Sequence, residues 1–127
     1  MEWKLFLDQF DSPRIGMYFD VGNCLLYAPG EDYIGLLGKE RIKAVHLKNW
    51  SGSDCAGGLH GFGDSLLSGD IDWKRLFAAF AKAGYEGPYT VEMIPFSRLP
   101  DLVLPDQALA DKVTEEVFGI MDGASSR

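Results

Sequence analysis

The sequence contains only two cysteines, Cys24 and Cys55, and they do not form a C-x-x-C pair. Two isolated thiols favour reduced side chains over a disulfide or a metal-binding pair. The chain also lacks an apolar run of about 18 residues, the length that spans a bilayer. Its first stretch, MEWKLFLDQF, is amphipathic and carries acidic residues, unlike a signal peptide. These absences predict a cytoplasmic protein with no disulfide framework and no transmembrane segment.

Basic residues are scarce relative to acidic ones. The 12 Lys and Arg against 19 Asp and Glu give a net charge of −7, which disfavours binding to nucleic acid or to an anionic membrane. The glycine-rich segment GGLHGFG does not have the G-x-G-x-x-G spacing, which excludes a dinucleotide-binding loop. Because no internal repeat or linker is visible, residues 1–127 are expected to form a single domain.

Helical and strand patterns alternate along the chain. Apolar residues at helical spacing predict four helices, at residues 3–10, 31–37, 73–83 and 106–121. Gly38 is a suitable stop for the second helix, and Asp72 and Gly84 suit the two ends of the third. Short apolar runs predict three strands, at residues 15–19, 42–47 and 89–93. Residues 48–69 show neither period and predict a long loop, and the polar tail 122–127 is expected to fray.

The order of these elements predicts the fold class. Strands that alternate with amphipathic helices are typical of an α/β fold with a parallel sheet covered by helices. In such a sheet the carboxyl ends of the strands lie at one edge, where α/β proteins bind their ligands. Side chains at the ends of the strands are therefore the candidates for a functional site.

Each predicted strand ends in, or just before, a side chain that can bind a metal or move a proton. These side chains are Asp20, His46 and Glu92. Parallel strands share one carboxyl edge, so the three can converge in space although they are far apart in sequence. Two carboxylates and an imidazole suit Mg²⁺, Mn²⁺, Co²⁺, Fe²⁺ or Zn²⁺. The sequence therefore indicates a divalent-metal site.

Each of the three residues also has a purely structural explanation. Asp20 can be a turn residue or a helix cap, and His46 a half-buried histidine whose hydrogen bonds are satisfied. Glu92 can pair with a lysine at the rim of the sheet. Their occurrence on three successive strands favours the metal site.

Three further residues are candidates for substrate binding. Lys48 lies two residues past His46, on the same strand face, and meets either an anionic substrate group or a rim carboxylate. His60 either reaches a ligand from the glycine-rich segment or is solvated there. Asn23 either orients a substrate hydroxyl or caps the helix at residues 31–37, and its distance from that helix favours the site role.

Five segments carry a resemblance to a known family. They are FDVGN at residues 19–23, VHLKN at 45–49, GDIDW at 69–73, GYEGPYTVEM at 84–93 and PFSRLP at 95–100. In this order and spacing they resemble the sugar-phosphate isomerase/epimerase family of xylose isomerase-like (β/α)₈ TIM barrels. The resemblance runs over nearly the whole chain and implies the C-terminal half of such a barrel, with strands six to eight.

The resemblance also implies a site and a reaction. Family members bind a divalent metal through a Glu, an Asp, a His and a second Glu. Asp20, His46 and Glu92 match the last three, and the first Glu is absent from this sequence. The implied activity is isomerisation or epimerisation of a sugar or sugar phosphate through an enediolate, with Glu92 as one of two catalytic carboxylates.

One feature departs from the family pattern: residues 49–56 lack the Arg that many relatives place beyond the metal-binding His. At the position of Asn23, epimerase relatives often carry a substrate-binding His, while others have Asn as here. A half-barrel also leaves open strand edges, so the resemblance implies a homo-oligomer or a complementing N-terminal half-barrel. The alternatives are a non-catalytic metal- or sugar-binding module and an α/β domain without a metal.

Overall fold

Strands and helices alternate along the chain, as the sequence predicts. The computed structural model describes residues 2–51, 65–92 and 107–125. Its elements are, in order, α1 Glu2–Leu7, β1 Met17–Asp20, α2 Val21–Cys24, α3 Gly30–Arg41, β2 Ile42–Leu47, α4 Trp73–Ala83, β3 Tyr89–Val91 and α5 Gln107–Ser125. None of the helices within these ranges has both the length and the apolar character needed to cross a membrane.

The three strands pair in parallel, in the order β1-β2-β3. Phe19 lies opposite Val45, and Asp20 lies opposite His46. On the other side of β2, His46 lies opposite Thr90. The predicted α/β class with parallel strands is therefore confirmed, and the carboxyl ends of the strands share one edge of the sheet.

The two faces of the sheet differ in burial. Phe19, Val45 and Leu47 are buried and belong to the core cluster that the helices complete. Side chains alternate between faces along a strand, so their neighbours point the other way. On that second face Tyr18 is 52% exposed and Thr90 is also exposed. One face holds the core, and the other remains open to a ligand or a partner.

Helix α4 supplies the centre of the core. Its Phe80 is buried, with its ring centroid 6.1 Å from that of Phe19, 5.3 Å from Tyr85 and 5.5 Å from Tyr89. Leu76 is buried one turn earlier. The helix thereby packs against both β1 and β3 and holds the outer strands in place around β2.

Both ends of α4 lie where the sequence predicts them. The Asp72 carboxylate accepts a hydrogen bond of 3.0 Å from the backbone N–H of Arg75, which is the contact of an N-cap. At the other end Gly84 has φ 71° and ψ 34°, the left-handed conformation that ends many helices. The Asp72 cap and the left-handed conformation of Gly84 therefore determine where this helix begins and ends.

Replacing Gly84 by alanine is expected to lower the free energy of unfolding by about 1–2 kcal/mol, because a Cβ disfavours the left-handed region. Space is not the cause, since the nearest atom to the added Cβ is Lys39 Cδ at 3.6 Å. Gly35→Ala is the matched control: it lies inside α3 with no atom near its Cβ position, and should raise stability by about 0.5–1 kcal/mol. Urea unfolding measures both, and changes of the same sign would contradict the conformational explanation.

The helices differ from the prediction in several places. Helix α1 ends at Leu7 rather than at residue 10. Gly38, the predicted stop of α3, is non-helical with φ 65° and ψ 172°, but the helix resumes and ends at Arg41. The expectation that residues after Met121 fray is wrong for 122–125, because α5 continues to Ser125. A single glycine costs a helix only about 1 kcal/mol, so Gly123 does not end it. Helix α2 is absent from the prediction because four residues are too few to show a helical period.

Candidate metal centre

Three side chains meet at the carboxyl edge of the sheet. Asp20 is the last residue of β1, His46 lies next to the end of β2, and Glu92 follows β3. The backbone N–H of Glu92 donates to the carbonyl of Leu47 at 3.0 Å, which continues the pairing of β2 and β3 by one residue. The structure thus brings together the three residues that the sequence singles out, here called the edge cluster.

The distances within the edge cluster are short. His46 Nδ1 lies 3.3 Å from Glu92 Oε2 and 3.7 Å from Asp20 Oδ2. One donor atom of each residue lies within 4.8 Å of the others, close to the largest spacing, about 4.4 Å, of two donors around one ion. The side chains are 14%, 27% and 38% exposed for Asp20, His46 and Glu92, so the cluster is sheltered but reachable.

Asp20 has a second role as the N-cap of α2. Its Oδ1 accepts a hydrogen bond of 2.8 Å from the backbone N–H of Asn23, and its Oδ2 accepts one of 3.1 Å from Asn23 Nδ2. The suggestion that Asn23 caps the helix now called α3 is wrong, because the N-cap of that helix is Pro29. Asn23 instead orients the Asp20 carboxylate, and its contact with a substrate hydroxyl stays a prediction.

Lys48 lies inside the edge cluster. Its ammonium is 2.9 Å from Asp20 Oδ2 and 2.9 Å from Glu92 Oε2, and its side chain is only 5% exposed. This arrangement corresponds to the structural alternative that the sequence left open, a lysine that balances rim carboxylates. The alternative role of binding an anionic substrate group stays a prediction.

The Lys48 ammonium also sets the ionisation of Glu92. The hydrogen bond from Lys48 holds the pKa of the Glu92 carboxyl below its ordinary value, and partial burial acts in the opposite direction without cancelling this effect. The positive charges of Lys48 and of a protonated His46 lower the pKa further. Glu92 is therefore a carboxylate at neutral pH, able to bind a cation or accept a proton.

The edge cluster fits a divalent cation in its chemistry. Two carboxylate oxygens and an imidazole nitrogen form a donor set that Mn²⁺, Fe²⁺, Co²⁺ and Zn²⁺ accept in proteins. The backbone contact of Asn23 with Asp20 Oδ1 leaves Oδ2 facing the other two side chains. The Tyr18 ring lies 4.0 Å from the His46 ring, centroid to centroid, and covers one side of the imidazole.

Asn49 is a positioning residue that the sequence does not reveal. It is 4% exposed, and its Nδ2 donates to the carbonyl of Leu66 at 2.8 Å. Its Oδ1 accepts from the backbone N–H groups of Trp50 at 2.9 Å and Ile71 at 3.1 Å. A buried amide with three such bonds ties the chain just past β2 to the chain just before α4. The only sequence signals are its place two residues past the buried strand β2 and at the end of the segment VHLKN.

Two further residues support the Asn49 tie. A Cβ at Gly69 would lie 2.2 Å from Asn49 Oδ1, and the φ of 148° at this residue also favours glycine. From α5, the Glu116 carboxylate accepts hydrogen bonds from Ser65 Oγ at 2.8 Å and from the Leu66 N–H at 2.7 Å. Both Asn49, just past β2, and helix α5 therefore hold residues 65–71.

A groove opens beside the edge cluster. It has a volume of about 390 Å³ and is lined by aromatic side chains of α1, β1 and the turn after α2, with Asp20 and Asn23 in its wall. Of the other residues predicted from the sequence, His60 and Cys55 lie outside the described residues. Cys24 is buried, and this burial raises the pKa of its thiol to about 12, as expected of an unreactive structural cysteine.

Comparisons with known proteins point to one kind of fold. A family profile described as a xylose isomerase-like TIM barrel matches residues 1–113. Among solved structures, the chain is similar to a xylose isomerase-like TIM barrel/4-hydroxyphenylpyruvate dioxygenase fusion protein, with a TM-score of 0.71 and 18% sequence identity. The match covers 97% of this chain and 19% of that one. A search of curated protein sequences finds no significant match.

Proposed function

Because the chain belongs to the xylose isomerase-like TIM barrel family, we propose that it is part of a divalent-metal-dependent isomerase or epimerase of a sugar or sugar phosphate. The observation that carries the proposal is the edge cluster, formed by Asp20, His46 and Glu92 on three parallel strands. Barrels of this kind bind their ligands at that edge. These three side chains would hold the ion.

The proposed chemistry is the transfer of a proton beside a carbonyl. A divalent ion at this site would polarise the carbonyl of a ketose and stabilise the negative charge of an enediolate. Glu92 would take the proton from the carbon beside the carbonyl or return it there. Its position as the most exposed member of the edge cluster supports this role.

The residues proposed to bind substrate are Asn23, Lys48 and His60. The Asn23 side chain is exposed beside Asp20 and lines the groove, where an amide can meet a hydroxyl of the sugar. Lys48 is a cation at the floor of the edge cluster, suited to an anionic substrate group once it leaves its carboxylate partners. His60 is proposed only because it lies in the glycine-rich segment GGLHGFG of the sequence.

We also propose that residues 1–127 form one partial barrel domain, strands six to eight, that is completed by further β/α units. A full barrel has eight strands, and within the described residues β1 and β3 each pair on one side only. Beside β1, Trp3 is 50% and Phe6 55% exposed. A complementing N-terminal half-barrel or a second copy of the chain would cover these aromatic rings, and the N-terminal half-barrel would also supply the Glu that this sequence lacks.

The metal site is tested by calorimetric titration with Mn²⁺. The wild-type chain should bind one ion, and His46→Gln should weaken binding at least about tenfold, because an imidazole donor is lost. Thr90→Ala is the matched control, since Thr90 lies opposite His46 on the same face and is not a member of the edge cluster. If His46→Gln and Thr90→Ala bind Mn²⁺ equally well, the site is not where we place it.

The reaction is tested by solvent-deuterium exchange into a panel of ketoses and ketose phosphates. The chain co-expressed with an N-terminal half-barrel and loaded with Mn²⁺ should incorporate deuterium beside the carbonyl, and Glu92→Gln should abolish the exchange. Metal binding without exchange on any sugar of the panel would favour the second candidate, a non-catalytic metal- or sugar-binding module. One observation supports that candidate. The proposed reaction uses two catalytic carboxylates, and of the two in the edge cluster Asp20 is held as a helix cap, which leaves only Glu92.

A further inference from the structure

Lys48 binds the same oxygen atoms that the edge cluster offers to a metal. Asp20 Oδ2 and Glu92 Oε2 are the carboxylate atoms nearest to His46 Nδ1. Both lie 2.9 Å from the Lys48 ammonium. The lysine and a divalent ion therefore compete for the same two donors.

The carboxylates have little capacity to serve both cations. On Asp20, Oδ1 already accepts from the backbone N–H of Asn23, and Oδ2 accepts from Asn23 Nδ2 as well as from Lys48. An ion about 2.2 Å from Asp20 Oδ2 would lie within about 5 Å of an ammonium that stayed on this oxygen. At such a separation in a sheltered site, a divalent and a monovalent cation repel strongly.

Lys48 is buried in the site, unlike a lysine that forms an ion pair at the protein surface. Its side chain is 5% exposed, against 42% for the lysine in the surface pair of Lys4 and Asp8. A charged group is rarely buried to this degree unless it is paired. Without an ion, the ammonium bridges the two carboxylates and offsets one of the two negative charges that would otherwise repel each other across the cluster.

We propose that Lys48 is a resident counter-ion that exchanges with the metal. In the metal-free chain its ammonium holds Asp20 and Glu92 together, and it leaves both carboxylates when a divalent ion binds. The measured free energy of metal binding then includes the unfavourable free energy of displacing the lysine. This inference rests on the proposed function only in assuming that the edge cluster binds a divalent ion.

The test compares wild type with Lys48→Met, which keeps a long side chain and removes the charge. Mn²⁺ should bind to Lys48→Met about tenfold more tightly or better, because the competitor is gone. The metal-free variant should unfold at a lower temperature than wild type, because no cation then bridges its two carboxylates. A lysine that only positions the ligands predicts the opposite, a loss of affinity on substitution.

The possible outcomes distinguish the proposed metal site from the proposed counter-ion role of Lys48. Mn²⁺ binding to wild type with equal or weaker binding to Lys48→Met overturns the counter-ion role and leaves the metal site standing. No binding to either chain, with both folded by circular dichroism, overturns the metal site and the exchange with it. Binding to Lys48→Met alone supports both.

A second measurement uses the wild-type chain and does not depend on the variant folding. Amine acylation followed by mass spectrometry reports the reactivity of each lysine. Lys48 should react slowly without metal, since it is buried and paired, and several-fold faster with saturating Mn²⁺. Lys4 is the internal control and should not change. Equal or slower labelling of Lys48 with Mn²⁺ would overturn the exchange.

Discussion

Replacing Asp20 by asparagine is expected to weaken Mn²⁺ binding by at least about 100-fold while the fold is retained. Loss of residues that merely support a metal ligand commonly costs about 10–100-fold, and here a charged ligand itself is lost. Asparagine is as good an N-cap as aspartate, so α2 should still begin after residue 20. Calorimetric titration measures the affinity, and circular dichroism checks the fold.

Asp72→Asn is the matched control for this prediction. Asp72 also caps a helix through its carboxylate, in the bond to the N–H of Arg75, but it is not a member of the edge cluster. The same chemical change there should leave Mn²⁺ affinity as it is in wild type. If Asp20→Asn binds Mn²⁺ as tightly as Asp72→Asn does, Asp20 is a helix cap and not a ligand.

Phe80→Ala is expected to lower the free energy of unfolding by about 3–5 kcal/mol, the usual cost of removing a buried phenylalanine ring. Phe80 is 1% exposed and contacts rings from β1, β3 and α4 itself. Removing it leaves a cavity at the point where α4 packs against the two outer strands. Since the free energy of unfolding of a small domain is about 5–15 kcal/mol in total, the variant should be close to unfolding.

Urea unfolding with Phe118→Ala as the control measures this cost. Phe118 lies on α5 and is 63% exposed, so the same substitution there should change stability by only about 0.5 kcal/mol or less. If Phe80→Ala is already unfolded without urea, Phe80→Leu, which leaves a smaller cavity, gives a measurable midpoint. Equal midpoints for Phe80→Ala and Phe118→Ala would contradict the packing described for α4.

The fold follows from the sequence wherever local signals are strong. Helix α4 has an amphipathic period, an aspartate before its first residue and a glycine after its last, and its predicted bounds match the structure. Strand β2 is likewise found at its predicted residues. Helix α2 could not be predicted, because its four residues show no helical period and its N-cap bond from Asn23 to the Asp20 carboxylate is visible only in the structure.

The site follows from the sequence only in part. The meeting of Asp20, His46 and Glu92 could be predicted because parallel strands place their carboxyl ends at one edge. The role of Lys48 could be narrowed to two alternatives, binding an anionic substrate group or pairing with a rim carboxylate. Its contacts with two carboxylates could not be predicted, because they depend on distances between strands. The role of Asn49 depends on residues 17 and 22 positions away, Leu66 and Ile71. No local pattern contains that information.

The Asn49 tie has a consequence for the cost of closing the chain between β2 and α4. A buried amide joins the chain after β2 to the chain before α4, and its hydrogen bonds set the register of these two elements. The entropy of closing a loop grows only slowly with its length. The cost of bringing these two elements together therefore depends little on how many residues connect them, and the three hydrogen bonds of Asn49 help to offset it.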